Sequence, residues 1–268
     1  MPRRGEAASP RRARWWPWGV LVELLILGCS STSASRPVPE SSDPDVVRPP
    51  PGGALLESLP GGLLGPYDTY SDALIAACNK ILQKPHATAG RRDHPQFDVR
   101  WRVSSEYCAW MYYTPDGKFR VSKLTDQTKV DPALRDKKCF LPSLVKDPHY
   151  PPESIKYVFG LHNHLFDDRV SDDYIRFIIG EGGKHAFEID TKDGKVRLSI
   201  VAFFANDFES PKCDGFYQYI PATNQIVKWT QVQGMWRCSQ THLVIWSEDL
   251  SIMNVQEAVA PCKKESGL

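Results

Sequence analysis

The chain has 268 residues, of which 41% are hydrophobic and 24% charged, and its formal net charge is +1. Five arginines lie within the first 28 residues, so the remainder has a small acidic excess. This balance argues against a nucleic-acid partner, because such binding depends on surplus Lys and Arg. An aromatic content of 11% argues against wholesale disorder. No later run approaches the ~18 apolar residues of a membrane span.

Residues 1–28 have the pattern of a secretory signal, in which basic residues precede a short apolar run. The acidic Glu23 is unusual inside that run. The ending Ile26-Leu27-Gly28-Cys29 resembles the bacterial lipoprotein box, which implies a signal peptide over 1–28 and a lipid on Cys29. A chance apolar stretch ending in Cys is the alternative. The resemblance further implies an exported protein that contacts the cell envelope only through this lipid, at the outer rather than the inner membrane because Ser30 is not acidic.

The segment after the signal is rich in residues that disfavour packing. Eight prolines lie between residues 30 and 66, together with Ser-rich and Gly-Gly stretches. Such a segment cannot bury enough apolar surface to offset its ordering entropy. We therefore interpret residues 29–66 as a disordered tether and residues 67–268 as a single domain of ordinary size.

The cysteine count supports export. If Cys29 carries a lipid, six cysteines remain, an even number that in an oxidising compartment predicts up to three disulfides. The spacing favours no particular pairing, and it contains no CxxC or CxxH pair of the kind that structural zinc sites use. The predicted disulfide cysteines are Cys78, Cys108, Cys139, Cys213, Cys238 and Cys262.

The predicted elements begin with a helix at Tyr70–Leu82, where apolar residues recur at helical spacing. Residues 97–103 alternate like a strand, and β-rich runs flank the turn Thr114–Gly117, which predicts a hairpin. The polar, proline-bearing residues 125–154 indicate a long surface excursion. The later elements are a strand at 155–161, a helix at 172–179 ended by glycines, a hairpin around 192–194, and strands at 216–220, 225–230 and 242–245. The fold class is therefore α+β or mixed α/β.

Two histidines follow the predicted strand at 155–161. His162 and His164 are spaced i and i+2, which places both side chains on the same side of an extended chain. Neutral imidazole is a common zinc ligand, and a catalytic zinc needs three protein ligands and an open position. Several carboxylates between residues 167 and 173 could supply the third ligand. The alternative is a pair of ordinary polar residues at a strand end.

These residues resemble the JAMM (JAB/MPN) metalloprotease motif, an HxH pair followed by Ser and an acidic helix. The HNH form is closest to the RadC-like branch, and the order of elements is similar to that of JAB domains associated with bacterial toxins. The resemblance covers about residues 70–200. It implies a JAMM-like (cytidine-deaminase-like) core sheet with flanking helices, to which the C-terminal residues add extra β segments.

The resemblance also implies roles for individual side chains. The sequence around Glu106 is similar to the strand that carries the catalytic glutamate of the family, so Glu106 is the expected general base. His162 and His164 are the expected metal ligands. Ser171 is the expected hydrogen-bond donor to the transition state.

The chain departs from the family three residues after Ser171. Tyr174 stands where the family has its third metal ligand, an Asp. Either Asp173 or its neighbour Asp172 ligates after a shift of register, with Asp173 preferred, or the site has lost a ligand. A shift of one residue turns a side chain by ~100° about a helix axis.

Two functions follow from these alternatives. A complete site predicts a zinc-dependent peptide or isopeptide hydrolase of the bacterial envelope, in which zinc lowers the pKa of its bound water towards ~7 and Glu106 accepts the proton. An incomplete site predicts a catalytically dead JAMM-like lipoprotein that acts as a binding or structural module. The expected partner is a peptide or protein that the sequence does not identify.

Overall fold

The structure is a computed structural model that describes residues 43–50, 52–131 and 136–262. The predicted signal peptide, the lipidated Cys29 and the first part of the predicted tether lie outside the described residues. Within the described ranges, no helix is long and apolar enough to cross a membrane.

Within the described residues, three α-helices accompany a large mixed sheet, which makes this a mixed α+β fold. The helices are α1 (Tyr70–Leu82), α2 (Phe97–Val103) and α3 (Asp172–His185), and a short 3-10 helix covers Pro152–Ser154. The predicted helix at Tyr70–Leu82 is confirmed. Its N-cap residue is Thr69, whose side chain accepts a hydrogen bond from the amide of Asp72.

Fifteen strands are present in the described ranges, and nine of them form the main sheet. The strands are β1 (Ser58–Pro60), β2 (Leu64–Tyr67), β3 (Cys108–Tyr113), β4 (Phe119–Val121), β5 (Thr128–Asp131), β6 (Asp136–Cys139), β7 (Leu144–Lys146), β8 (Lys156–Asn163), β9 (Glu188–Thr191), β10 (Gly194–Arg197), β11 (Ser199–Phe204), β12 (Gly215–Ile220), β13 (Gln225–Val232), β14 (Met235–Trp246) and β15 (Met253–Pro261). The spatial order in the main sheet is β15-β14-β13-β12-β11-β8-β3-β4-β2.

The centre of the sheet contains its only parallel pair among the described strands. β8 runs parallel to β11 and antiparallel to β3. Parallel neighbours need a crossover connection, and α3 provides it between β8 and β11. The carboxyl end of β8 therefore lies next to the start of α3, which is where the histidines and Ser171 come together.

The two faces of the sheet bury separate cores. One core packs α1 against the sheet and includes Leu74, Ile81 and Phe159. The other packs α3 against the opposite face and includes Trp110 and Ile178. Fully burying such side chains stabilises a fold by roughly 1.5–3 kcal/mol each. The layers α1, sheet and α3 therefore stabilise the central strands from both faces.

All six predicted cysteines form disulfides, which confirms the prediction of three bonds. Cys78 of α1 is joined to Cys213, and Cys108 of β3 to Cys139 of β6. The third bond joins Cys238 to Cys262, across the hairpin of β14 and β15.

The predicted strand at 97–103 is wrong, because these residues form α2. Phe97 and Trp101, one helical turn apart, are buried, whereas Val99 and Val103 are 65% and 52% exposed. A strand would have buried all four side chains on one face. The apolar residues do alternate, but in so short a segment the same pattern fits both a strand and a helix. Contacts with the rest of the fold decide which of the two forms.

The predicted helix at 172–179 is too short. α3 continues through three glycines to His185 and ends at Ala186, whose φ is +72°. A Cβ on Gly182 would lie 2.1 Å from the ring of Phe187. The glycine therefore permits close packing inside the helix rather than ending it.

The other predicted elements are partly confirmed and partly corrected. The excursion at 125–154 contains the paired strands β5 and β6 and the short strand β7. The predicted hairpins at 114–117 and 192–194 and the antiparallel pair of β12 and β13 are confirmed. The predicted strand at 242–245 is only the end of β14, and β15 is an additional strand.

The folded domain begins before residue 67. Leu59 of β1 is fully buried, and β1 pairs with β7. Val46 forms a bridge with Leu124, and Lys84 is ion-paired with Asp43 and with Asp45 nearby. The predicted tether 29–66 is therefore too long at its C-terminal end.

Candidate functional site

The candidate site lies at the carboxyl end of β8, between α2, α3 and the β5–β6 hairpin. His162 is opposite Cys108 of β3 and Ala202 of β11 in the sheet. The ring centroids of His162 and His164 are 4.9 Å apart, so the sheet does bring the two predicted ligands together.

The two imidazoles are in different environments. The Nδ1 atom of His164 is 2.9 Å from the carbonyl oxygen of Asp168. Because a carbonyl only accepts hydrogen bonds, Nδ1 carries the hydrogen. His162 is fully buried, and neither ring nitrogen makes a hydrogen bond of regular geometry. Burial, followed by the charge of His164, holds the pKa of His162 well below its usual value, although the nearby carbonyl of Val201 acts in the opposite direction. His162 is therefore a neutral imidazole.

Tyr174 occupies the space beside His162. Its ring centroid is 3.8 Å from that of His162, so the two rings are in contact. The phenol donates to Oε2 of Glu106 at 2.8 Å and accepts from the amide of Cys139 at 2.8 Å. Tyr174, which the sequence places where the family has its third ligand, thus lies between the predicted base and a predicted ligand.

Glu106 is buried two residues before β3. Besides the phenol, its Oε2 accepts a hydrogen bond from the amide of Cys139 at 3.2 Å. These bonds attach Glu106 to α3 and to the end of β6. The predicted base is therefore part of a structural network.

The acidic residues proposed as the third ligand point away from the histidines. The side chain of Asp173 is 62% exposed and pairs with Lys138. Asp172 pairs with Arg169 at 2.8 Å. Because α3 begins at Asp172, Tyr174 lies on the side of the helix that faces His162. Asp173, one residue earlier, faces solvent.

The predicted zinc cofactor is wrong. Over 43–50, 52–131 and 136–262, no group of three or more His, Cys, Asp or Glu side chains is placed to hold a metal ion. His162 and His164 are adjacent, but the third position holds a phenol, and Asp173 is not its replacement. The residues present therefore do not fit a three-ligand zinc site.

Ser171 is the N-cap residue of α3, but its side chain makes no capping hydrogen bond. Its Oγ is buried and has no hydrogen-bond partner. The hydroxyl lines a small pocket of about 80 Å³ together with Trp101, Lys137, His164 and other residues. The predicted role of Ser171 as a hydrogen-bond donor to a reacting group stays a prediction.

Sequence reasoning missed Lys137. Its Nζ donates to the carbonyl oxygens of Trp101, Arg102 and Ser104 at 2.6, 3.1 and 2.5 Å, which caps the carboxyl end of α2. The signal that could have located it is Cys139, because the disulfide to Cys108 brings the end of β6 next to Glu106.

Three consecutive residues at the end of β6 attach the hairpin to the site. Lys137 bonds to α2, Lys138 pairs with Asp173 of α3, and Cys139 is joined to β3. The β5–β6 hairpin therefore forms one wall of the pocket.

We expect the stability of the domain to fall as the pH decreases below about 6.5, the pKa of an unperturbed His. The unfolded chain gains a proton at residue 162 in this range, whereas the buried imidazole does not. The free energy of unfolding should fall by up to ~1.4 kcal/mol per pH unit and level off below the lowered pKa of His162.

Urea titrations of the native protein and His162→Gln, between about pH 5 and 6.5, measure this slope. The exposed His94→Gln is the matched control. Equal slopes in the native protein and His162→Gln would show that His162 is not kept neutral by the fold.

Comparison with known proteins adds no relative. No protein-family model matches the sequence, and neither the curated proteins nor the solved structures contain a match. The JAMM-like core therefore stays a prediction from the residues of this chain.

Proposed function

We propose that the chain is a metal-free binding domain on a JAMM-like scaffold that has lost catalysis. The arrangement of the central elements supports the scaffold. A Glu precedes β3, the neighbouring strand β8 ends in the HxH pair, and Ser171 begins the crossover helix α3.

The position of Tyr174 carries the proposal. Its ring packs on His162 and its hydroxyl bonds to Glu106. A zinc ion held by the two histidines needs an oxygen or nitrogen ligand about 2 Å from the metal in this region. The phenol instead donates its hydrogen bond to Glu106. Tyr174 therefore fills the position of the third ligand and also binds the carboxylate that would activate water.

The disulfides support an exported protein, because such bonds persist in oxidising compartments. We extend the proposal to location. The protein is exported and held at the cell envelope by a lipid on Cys29, which leaves the domain free to contact a peptide or protein partner.

Zinc content tests the proposal. The full-length protein, incubated with zinc and dialysed, should retain well under one equivalent, and His162→Ala and His164→Ala should retain the same amount. Elemental analysis by mass spectrometry measures this. One equivalent of zinc in the native protein that both variants lose would overturn the proposal.

A peptidase assay provides a second readout. Hydrolysis of a casein or mixed-peptide substrate by the native protein should not exceed that by Glu106→Gln. Activity that depends on Glu106 would contradict a non-catalytic domain.

A further inference from the structure

The pocket beside Tyr174 contains hydrogen-bond donors that no described group accepts. Trp101 is only 6% exposed, and its indole Nε1 has no hydrogen-bond partner. The hydroxyl of Ser171 is likewise buried and unpartnered. Both residues line the same pocket. Because buried donors nearly always have a partner in folded proteins, two exceptions around one pocket indicate a bound group that accepts hydrogen bonds.

The first turn of α3 adds to these donors. An N-cap Ser normally accepts a hydrogen bond from an amide of the first turn. Ser171 does not, so these amides lack their usual side-chain partner. The positive end of the helix dipole also favours an anion at this position.

Two cations line the pocket. The Nη1 atom of Arg169 donates to the carbonyl of Val170 and to Asp172. Its Nε and Nη2 atoms make no hydrogen bond within the described ranges. A guanidinium group presents paired N–H donors that match the two oxygens of a carboxylate. Lys137 adds a second charge, with its Nζ 4.8 Å from the centre of the Trp101 ring.

Three acceptor atoms of Glu106 and Asp168 around the pocket, in contrast, already have donors. Glu106 accepts from Tyr174 and from the amide of Cys139. Oδ1 of Asp168 accepts from the amide of Arg169, and the carbonyl oxygen of Asp168 accepts from the ring of His164. The buried donors without a partner, the indole Nε1 of Trp101 and the hydroxyl of Ser171, therefore favour a ligand that accepts hydrogen bonds.

We infer that this pocket binds a small carboxylate group through Trp101, Ser171 and Arg169. The inference rests on the proposed function, because it assigns to the pocket beside Tyr174 a ligand that is bound and does not react. A volume of about 80 Å³ is enough for a group of a few heavy atoms, such as the carboxylate of acetate or of an acidic side chain. The source is either a free short-chain acid or an Asp or Glu of a protein partner.

Nuclear magnetic resonance of the full-length, 15N-labelled protein tests the inference. Trp101→Phe identifies the indole signal of Trp101 by its disappearance. Millimolar acetate should shift that signal downfield and saturate, whereas acetamide, which has the same shape without the charge, should not. A short acetylated peptide containing Asp, compared with its Asn counterpart, distinguishes an acidic side chain from a free acid by tighter binding.

Single substitutions should weaken acetate binding by about tenfold or more, because each removes a hydrogen bond to a charged group. Ser171→Ala and Arg169→Gln are followed through the indole signal, and Trp101→Phe by the line width of the acetate methyl resonance. Trp246→Phe is the matched control, because the Nε1 atom of Trp246 bonds to Tyr219 of β12 and Trp246 does not line the pocket.

The outcomes separate this inference from the proposed function. An indole signal that acetate does not move, or that acetamide moves equally, would overturn carboxylate binding and leave the metal-free domain in place. Stoichiometric zinc binding would overturn the proposed function whatever the acetate titration shows.

Discussion

Replacing Tyr174 with Asp should give this protein a zinc site that the native chain lacks. Tyr174→Asp removes the ring that packs on His162 and places a carboxylate three residues after Ser171, as in the JAMM motif. His162, His164 and residue 174 would then supply three ligands and leave an open position. The gain in zinc affinity should exceed the ~10–100-fold that supporting residues contribute at zinc sites.

Isothermal titration with zinc measures the gain. Tyr174→Phe is the control, because it removes the hydroxyl but keeps the ring, and it should bind no more zinc than the native protein. Zinc binding by Tyr174→Asp should disappear when His164→Ala is added. If Tyr174→Asp folds, as judged by its circular dichroism, and binds no zinc, the proposed kinship with the JAMM scaffold is wrong.

Lys137→Met should destabilise the domain by about 3 kcal/mol. The substitution keeps the length of the side chain and removes an ammonium group that donates to three backbone carbonyls at the end of α2. Burial lowers the pKa of Lys137, whereas the nearby Glu106 acts in the opposite direction by favouring the charged form. Without the lysine, the carbonyls of Arg102 and Ser104 lose this donor, whereas the carbonyl of Trp101 still accepts from the amide and the hydroxyl of Ser104.

The adjacent Lys138→Met is the matched control. Lys138 pairs with Asp173, whose side chain is 62% exposed, and an exposed ion pair contributes less than about 1 kcal/mol. Urea denaturation with the disulfides intact compares the two variants. Similar losses from both substitutions would show that capping of α2 by Lys137 contributes little to stability.

The parts of the fold that the sequence predicts are those with local causes. α1 has a periodic apolar face, and the hairpin at Thr114–Gly117 has an Asp-Gly turn between β-rich runs. Their signals lie within a few residues, so no distant contact is needed to recognise them. The same reasoning fails at α2, because the contacts that bury Phe97 and Trp101 come from residues far away in the sequence.

The candidate site divides in the same way. The closeness of His162 and His164 follows from their spacing on one strand. The orientation of Tyr174 depends on where α3 begins, and one residue decides whether Tyr174 or Asp173 faces the histidines. The contribution of Lys137 depends on a disulfide whose pairing no spacing rule provides.

The attachment of residues 137–139 to three different elements has a consequence for motion. Hydrogen bonds to α2 and a covalent bond to β3 fix the hairpin on two sides of the pocket. Because these bonds hold the hairpin, we expect its local opening to cost more free energy than that of a hairpin without them. The amide of Cys139, bonded to Tyr174 and Glu106, would then exchange its hydrogen as slowly as the most protected strands of the sheet. We therefore expect a ligand to fit the pocket as it stands, so that shape complementarity rather than induced closure sets its selectivity.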